Sequence, residues 1–507
     1  MYDTNYLGSR LRAASLGRES APFLEHLLTG EVTTYGQFFA NAERLAAALV
    51  QLGVQPGDRI AVQAPKTRVM LELYVATVLC GGVFLPLNTG YTASEIRYFL
   101  TDALPRVLVC DPSRHAALEP LAQEVGVSAV LTIAADESGT VADARDAQQP
   151  GFVPVARSGD DLAAILYTSG TTGRAKGAML SHRALASNAA TLKDYWRFTQ
   201  DDVLIHALPI FHTHGLFVAT NISLMAGGSC LFLPGFDPEV ILRAMPRATA
   251  MMGVPTFYTR LLEQPELATA SRAMRLFVSG SAPLLAETHD RWRAVTGHAI
   301  LERYGMTETN MNTSNPYDGD RRAGTVGFAL PGIEVIVTDP QTGEQVAPGG
   351  VGLLEVRGPN LFSGYWNMPE KTAEELRENG FFLTGDMGQI DADGYISIVG
   401  RSKDLIISGG YNIYPKELEV LIDDLPGVSE SAVIGVPHPD FGETPVAVVV
   451  AEPGAGLTEA AVMAGIKDDL ARFKQPRKII FVDALPRNTM GKVQKAEMRK
   501  TYGDLFT

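Results

Sequence analysis

The chain has 507 residues, 46% of them hydrophobic and 20% charged, a composition that suits a globular protein and excludes a disordered one. Its 43 Lys and Arg against 57 Asp and Glu give a formal charge of −14, and such an acidic chain lacks the basic footprint that nucleic acid requires. Three scattered cysteines, Cys80, Cys110 and Cys230, form no CxxC or Cys/His cluster, which excludes a disulfide framework and a zinc site and fits a reducing, cytoplasmic setting.

At about 100–200 residues per domain, the length predicts more than one folding unit. Near the start, Arg10, Arg12 and Arg18 are interspersed with Asp3 and Glu19 and no apolar run follows, so no secretory leader is expected. Residues 33–53 place Phe38, Ala42, Leu45 and Leu49 on one helical face, closed by Gly53. Residues 59–64 read as a strand, 69–79 as a buried helix, and 83–87, 107–110 and 130–133 as further strands. Glu72 and Gly81-Gly82 lie inside or beside the most apolar stretch and argue against a membrane span. Helices alternating with short apolar strands predict an α/β fold, with parallel sheets covered on both faces. Residues 135–160 are rich in Ala, Asp, Gly, Gln and Pro and read as a surface connection. The alternation resumes at Leu162 and runs to about residue 310.

From about 323 to 402, short alternating runs separated by Pro-Gly, Gly-Gly and Asp-Gly turns predict a β-rich subdomain. Beyond it, 418–425 and 457–471 read as helices and 432–436 and 445–451 as strands. The expected division is therefore a large domain over 1–402 and a small α+β domain over 403–507.

The densest chemical signal is Thr168-Ser169-Gly170-Thr171-Thr172-Gly173, followed after Arg174-Ala175 by Lys176. It follows an apolar strand at 163–167 and is expected to precede a helix. Glycines let backbone N–H groups turn toward an anion, hydroxyls add donors, and Lys176 adds positive charge. That is a polyphosphate cradle, although it lacks the G-x-x-x-x-G-K-[ST] spacing of a Walker A loop. A second signal is electrostatic: residues 472–500 hold nine basic side chains against Asp483 and Glu497, a basic zone suited to nucleotide phosphates on an acidic chain.

The loop is followed in order by Tyr304-Gly305-Met306-Thr307-Glu308, Thr384-Gly385-Asp386, Gly400-Arg401-Ser402-Lys403-Asp404 and Pro486-Arg487-Asn488-Thr489-Met490-Gly491-Lys492. That order resembles the adenylate-forming superfamily of acyl-CoA synthetases, adenylation domains and luciferases, and the resemblance spans nearly the whole chain. It implies a large domain of two stacked sheets with helices, a small mobile C-terminal domain hinged at Lys403, ATP and coenzyme A as co-substrates, and Mg²⁺ as cofactor. Tyr304 is the implied adenine-stacking ring, a flat apolar surface suited to that work. Gly280-Ser281-Ala282 and Gly305-Met306 would line the nucleotide, Thr307 would bond the α-phosphate, and Glu308 would hold magnesium through a hard oxygen. Asp386 would accept the ribose hydroxyls beside Arg401. Lys492 is the implied catalytic cation, stabilising charge as a carboxylate displaces pyrophosphate at the α-phosphorus. Ser408-Gly409-Gly410-Tyr411 would approach the pantetheine arm of coenzyme A.

The finer resemblance, over residues 302–321 and 486–495, is to malonyl-CoA synthetases. It implies malonate, with methylmalonate tolerated, as the acid. Arg303 carries a physical argument, because a diacid brings a second charge that must be paired when desolvated, and a guanidinium pairs bidentately with a carboxylate. Arg303 would instead be structural if it paired with Glu302 or Asp386. His212, Ser279 and Met306 are the remaining expected pocket residues, with His212 either donating to a carboxylate or gating the coenzyme A tunnel. The rival expectations are another short-chain or aromatic acid, and an adenylation enzyme that loads a carrier protein. No membrane or nucleic-acid partner is expected.

Overall fold

The structure is a computed structural model that describes residues 2–506 apart from 169–174, 409–410, 468, 471, 473 and 489–490. The chain forms two compact units, Met1–Glu334 with Arg357–Phe382, and Val335–Val356 with Leu383–Thr507.

The first unit holds two sheets. One has six strands in the order Ala129–Thr132, Val107–Cys110, Arg59–Gln63, Val83–Pro86, Leu162–Thr168, Lys176–Ser181, all parallel except the last pair. The other has nine strands, and its centre is the parallel set Leu301–Met306, Leu276–Ser279, Ala250–Gly253, Val203–His206, Ser229–Phe232 and Pro22–His26. Central strands such as Val83–Pro86 are buried at every residue, so they read as continuous apolar runs without alternation. Parallel strands bring the loops after Val203–His206, Leu276–Ser279 and Leu301–Met306 to one edge, where open α/β sheets bind ligands.

The helix Tyr35–Gln51 starts at a capping box between Thr34 and Gln37 and buries Phe38, Ala42, Leu45 and Leu49, as its period requires. The chain leaves at Gly53, whose φ of +86° favours a residue without a Cβ. The helix Arg68–Leu79 is buried from Val69 to Leu79. Its Tyr74 ring packs on Phe84 of the six-stranded sheet at 5.4 Å and on Phe217 at 5.6 Å. Glu72 in this apolar helix takes hydrogen bonds from Asn41 at 2.9 Å and Arg145 at 3.3 Å, and burial pushes its carboxyl up to about 7.

That carboxylate explains one departure from the sequence reading. The 135–160 connection contains a helix, Thr140–Asp146, because Arg145 reaches the buried Glu72, Val141 is fully buried, and Thr140 Oγ1 accepts from the Thr132 amide at 2.9 Å. All three cysteines are free and buried. No helix among the described residues is long and apolar enough to cross a membrane.

The second unit carries most of a four-stranded sheet, in the order Glu334–Thr338, Gly352–Arg357, Phe382–Ile390, Ile396–Arg401. It also carries a five-stranded sheet built on the long antiparallel pair Val428–His438 and Gly442–Ala451. Ala432, Ile434 and Val436 face Leu485 and Met498, while Val433 faces Leu418, Ile422, Val462 and Ile466. Both faces are thus covered. The helix expected over 457–471 is confined to Glu459–Ile466, where Thr458 caps it by accepting from the Ala461 amide, and Leu470 reaches the same core from the turn beyond.

Candidate functional site

The phosphate-loop motif joins two antiparallel strands rather than a strand and a helix. Leu162–Thr168 pairs with Lys176–Ser181, with Thr168 opposite Lys176, and the helix His182–Tyr195 begins only after Ser181 caps it by accepting from the Ala184 amide. Sequence misled here because a Gly-rich turn after an apolar strand is shared by hairpins and strand-to-helix loops. Ser169, Gly170, Thr171, Thr172 and Gly173 lie outside the described residues. Lys176 is half-buried, with Nζ 3.1 Å from Glu375 Oε1 and 4.2 Å over the Tyr365 ring.

The strand Leu301–Met306 turns back into Asn310–Ser314. Any side chain at Gly305 would overlap the Asn310 carbonyl, and Asn310 itself has φ +52°. Asn188 clamps the return strand by accepting from the Met311 amide at 3.2 Å and donating to its carbonyl at 2.8 Å. This tight hairpin leaves Tyr304, Met306 and Thr307 half-buried, with the Tyr304 hydroxyl 3.9 Å from Met306 Sδ. Glu308 is 5% exposed, and its Oε1 accepts from the Tyr365 hydroxyl at 3.0 Å. Tyr365 also meets Glu375 at 2.6 Å.

Arg303 is 3% exposed, and its Nε and Nη2 have no hydrogen-bond partner among the described residues. Desolvation pushes its guanidinium down to about 9, only partly countered by Tyr258 and Glu302. The pairing with Glu302 weighed above is not what is seen: Glu302 Oε1 accepts from the Leu284 amide at 3.1 Å, and adjacent strand residues point to opposite faces. Asp386 is paired with Arg401. The guanidinium lies against Gly280, where a Cβ would overlap it. Ser281, at φ +70°, brings its Oγ within 3.3 Å of His214 Nδ1.

His214 is the residue the sequence reading missed. It is 2% exposed, its Nε2 has no partner, and burial together with the charge of Arg303 holds it well below the usual imidazole range, so it is neutral. His212, half-buried, accepts from the His214 amide at 3.5 Å. Ser279 is fully buried with an unpartnered hydroxyl. The structure thus joins Arg303, Gly280, Ser281 and His214 in one patch, and links Glu308 to Lys176 through Tyr365 and Glu375.

In the second unit, Asp386 is 4% exposed and its Oδ1 is 2.7 Å from Arg401 Nε. Its amide donates to Thr384 Oγ1 at 3.0 Å, so the local turn is made by the threonine and the Asp carboxylate is left to Arg401. Lys403 is exposed in the 3₁₀ turn Ser402–Asp404. Ser408 ends a strand that pairs antiparallel with Tyr411–Ile413, while Gly409 and Gly410 between them, and the Tyr411 side chain, lie outside the described residues. Lys492 is exposed on a loop closed by the Arg487–Val493 bridge, where Asn488 Oδ1 accepts from the Lys492 amide at 2.9 Å.

Among the described residues no group of three or more His, Cys, Asp or Glu could hold a metal ion. A lone buried carboxylate, Glu308, fits Mg²⁺, which binds through one or two carboxylates plus substrate phosphates.

Residues 13–366 match the AMP-binding enzyme family, and 417–492 match the AMP-binding enzyme C-terminal domain. The chain is 34% identical to a malonate–CoA ligase of Arabidopsis thaliana, over 93% of this chain and 85% of that protein. It is 37% identical to a feruloyl-CoA synthase of an Amycolatopsis species, over 94% and 95%. Its structure superposes on that of ATP-bound MatB from Rhodopseudomonas palustris with a TM-score of 0.97, at 58% identity, covering 99% and 100% of the chains.

Gly305→Ala is expected to destabilise the hairpin by about 3 kcal/mol, the upper end of overpacking costs, since its Cβ meets backbone rather than a movable side chain. Urea unfolding checks it, and an unchanged midpoint would show that the hairpin is not tight.

Proposed function

Because this chain belongs to the AMP-binding enzyme family, we propose that it is an AMP-forming ligase that joins malonate to coenzyme A through an acyl-adenylate. The malonate reading is carried by the buried Arg303 guanidinium with Nε and Nη2 unpartnered. One carboxylate of the diacid pairs there side-on, and neutral His214 and Ser279 supply further donors. A neutral acyl chain leaves the cation buried and uncompensated, which disfavours an aromatic or simple short-chain acid.

The other carboxylate attacks the α-phosphorus of ATP, forming the P–O bond of malonyl-adenylate as pyrophosphate leaves. Tyr304 stacks on adenine, Gly280, Ser281, Ala282, Gly305 and Met306 line the nucleotide, and Asp386 and Arg401 take the ribose. Thr168 to Gly173 and Lys176 hold the outer phosphates, and Thr307 donates to the α-phosphate. Bound Mg²⁺, held by Glu308 and the phosphates, would neutralise charge on the phosphoryl oxygens. Lys492 stabilises the charge that develops at the α-phosphate. Rotation at Lys403 then brings Ser408 to Tyr411 toward the pantetheine arm, His212 flanks the tunnel, and the thiol displaces AMP from the acyl carbonyl. Methylmalonate is an alternative acid if the wall near Met306 admits one methyl group. Free buried thiols favour a cytoplasmic setting.

Three variants test this. Arg303→Met is expected to lower kcat/KM for malonate at least 100-fold while changing acetate use only a few-fold, since losing one partner of a buried pair costs about 3–5 kcal/mol. An unchanged malonate/acetate ratio removes Arg303 from the acid pocket. Lys492→Ala should slow adenylate formation about 100- to 1,000-fold yet spare thioester formation from supplied malonyl-adenylate; equal loss of both half-reactions contradicts its role. Lys403→Pro should impair mainly the second half-reaction, and full thioester synthesis by that variant disposes of the hinge.

A further inference from the structure

Tyr365 is absent from every role assigned so far, yet it stands between two carboxylates of the first unit. Its hydroxyl is 3.0 Å from Glu308 Oε1 and 2.6 Å from Glu375 Oε2. Glu375 in turn lies 3.1 Å from Lys176 Nζ and 3.0 Å from Lys371 Nζ, and the Lys176 ammonium sits 4.2 Å over the Tyr365 ring. An unbroken chain therefore runs from the candidate magnesium carboxylate, through one phenol and a second carboxylate, to the cation at the foot of the phosphate loop. We propose that Tyr365 is a positioning residue that orients Glu308 for the metal and couples it to Lys176 through Glu375. This deepens the proposed ATP chemistry and rests on it.

A phenol has one O–H hydrogen, so it cannot donate fully to two carboxylates at once. Glu375 is compensated by two lysines, whereas the hydroxyl is the neutral donor shared with Glu308. Without the hydroxyl, Glu308 loses this donor and faces the second carboxylate, Glu375, directly. Outer hydrogen bonds of this kind orient metal ligands, and losing one typically costs 10- to 100-fold in metal affinity. The local frame is rigid enough to do this. Tyr365 is 2% exposed, its ring packs on Phe362 at 4.8 Å, and its amide donates to Thr372 Oγ1 at 2.9 Å. Phe362 donates its amide to the Glu308 carbonyl at 2.7 Å, so the segment that carries the phenol is tied to the residue it orients.

Tyr365→Phe is a clean test, because it keeps the ring under Lys176 and against Phe362 and removes only the hydroxyl. The full chain is titrated with ATP by calorimetry, first with EDTA and then over a range of MgCl₂. The expected result is metal-free ATP binding within about twofold of the parent and an apparent Mg²⁺ affinity lowered at least tenfold. Adenylation by the variant should recover as MgCl₂ is raised. Equal weakening of metal-free and metal-bound ATP would mean a merely structural role and overturn the proposal, as would an unchanged magnesium dependence. If the parent protein itself bound no ATP, the proposed function would fall together with this inference; a normal parent with an unaltered variant sinks this inference alone.

Discussion

A buried guanidinium whose Nε and Nη2 have no hydrogen-bond partner among the described residues is the constraint around which the first unit is arranged. Arg303 is enclosed to 3% exposure, and even pushed down to about 9 it stays protonated at neutral pH. Isolated ions are expensive to remove from water, so such a group persists in a fold when a ligand supplies the missing charge. The surroundings are built to keep it in place. Gly280 has no side chain to displace it, Glu302 is committed to the Leu284 amide, and the Tyr258 hydroxyl is used on the Val278 carbonyl at 2.6 Å. Burial, with the charge of Arg303 second, holds His214 neutral, so it does not compete for the anion as a second cation.

The six-stranded sheet was readable because its strands are apolar and evenly spaced, whereas the strands that lead to this patch, Val203–His206, Leu276–Ser279 and Leu301–Met306, belong to the nine-stranded sheet and were legible only as a continuing alternation up to about residue 310. Residues 59–64, 83–87, 107–110 and 130–133 all became strands within a residue or so of the reading, and Phe38, Ala42, Leu45 and Leu49 are the buried face of their helix. Arg303 stood out through the family resemblance over residues 302–321 and because the second charge of a diacid calls for a guanidinium partner. What was not readable depends on partners distant in the chain. Tyr365 and Glu375 lie 57 and 67 residues beyond Glu308 and carry no local pattern that joins them to it until the fold brings them together. The helix Thr140–Asp146 exists because Arg145 meets Glu72 across 73 residues. His214 has no local signal that separates it from His212; only burial and an unpartnered Nε2 do so.

The second unit solves the opposite problem, which is to present a cation rather than hide one. Lys492 is exposed, but its backbone is fixed at both its N–H and its carbonyl by Asn488 at 2.9 Å. Arg487 closes the loop by donating to the Gly491 carbonyl at 2.6 Å and pairing with Glu430. The following helix, Lys495–Tyr502, is pinned where Lys495 pairs with Glu419 and Arg499 with Asp404 at 2.7 Å. Glu419 also accepts from the Val433 amide in the core sheet at 2.9 Å, so the loop's anchor reaches the centre of the unit. A flexible side chain on a fixed backbone loses little entropy before it is used and is placed accurately when it is.

The two cations are thus suited to different tasks by their settings. A fully enclosed, planar guanidinium is costly to leave unpaired, so in the proposed reaction it would discriminate between acids by the cost of the wrong one. An exposed ammonium is well hydrated and pays little while idle, so it suits transient charge at a transition state, where only interactions gained on the way to that state accelerate the step. Exchanging their settings would fail both ways. A buried lysine would shed its proton more readily than a guanidinium, and an exposed arginine would recognise a carboxylate against the competition of water. Under the proposed function, Arg303 on a strand and Lys492 on a tethered loop would follow from the same desolvation energetics, applied once to select a substrate and once to act on it.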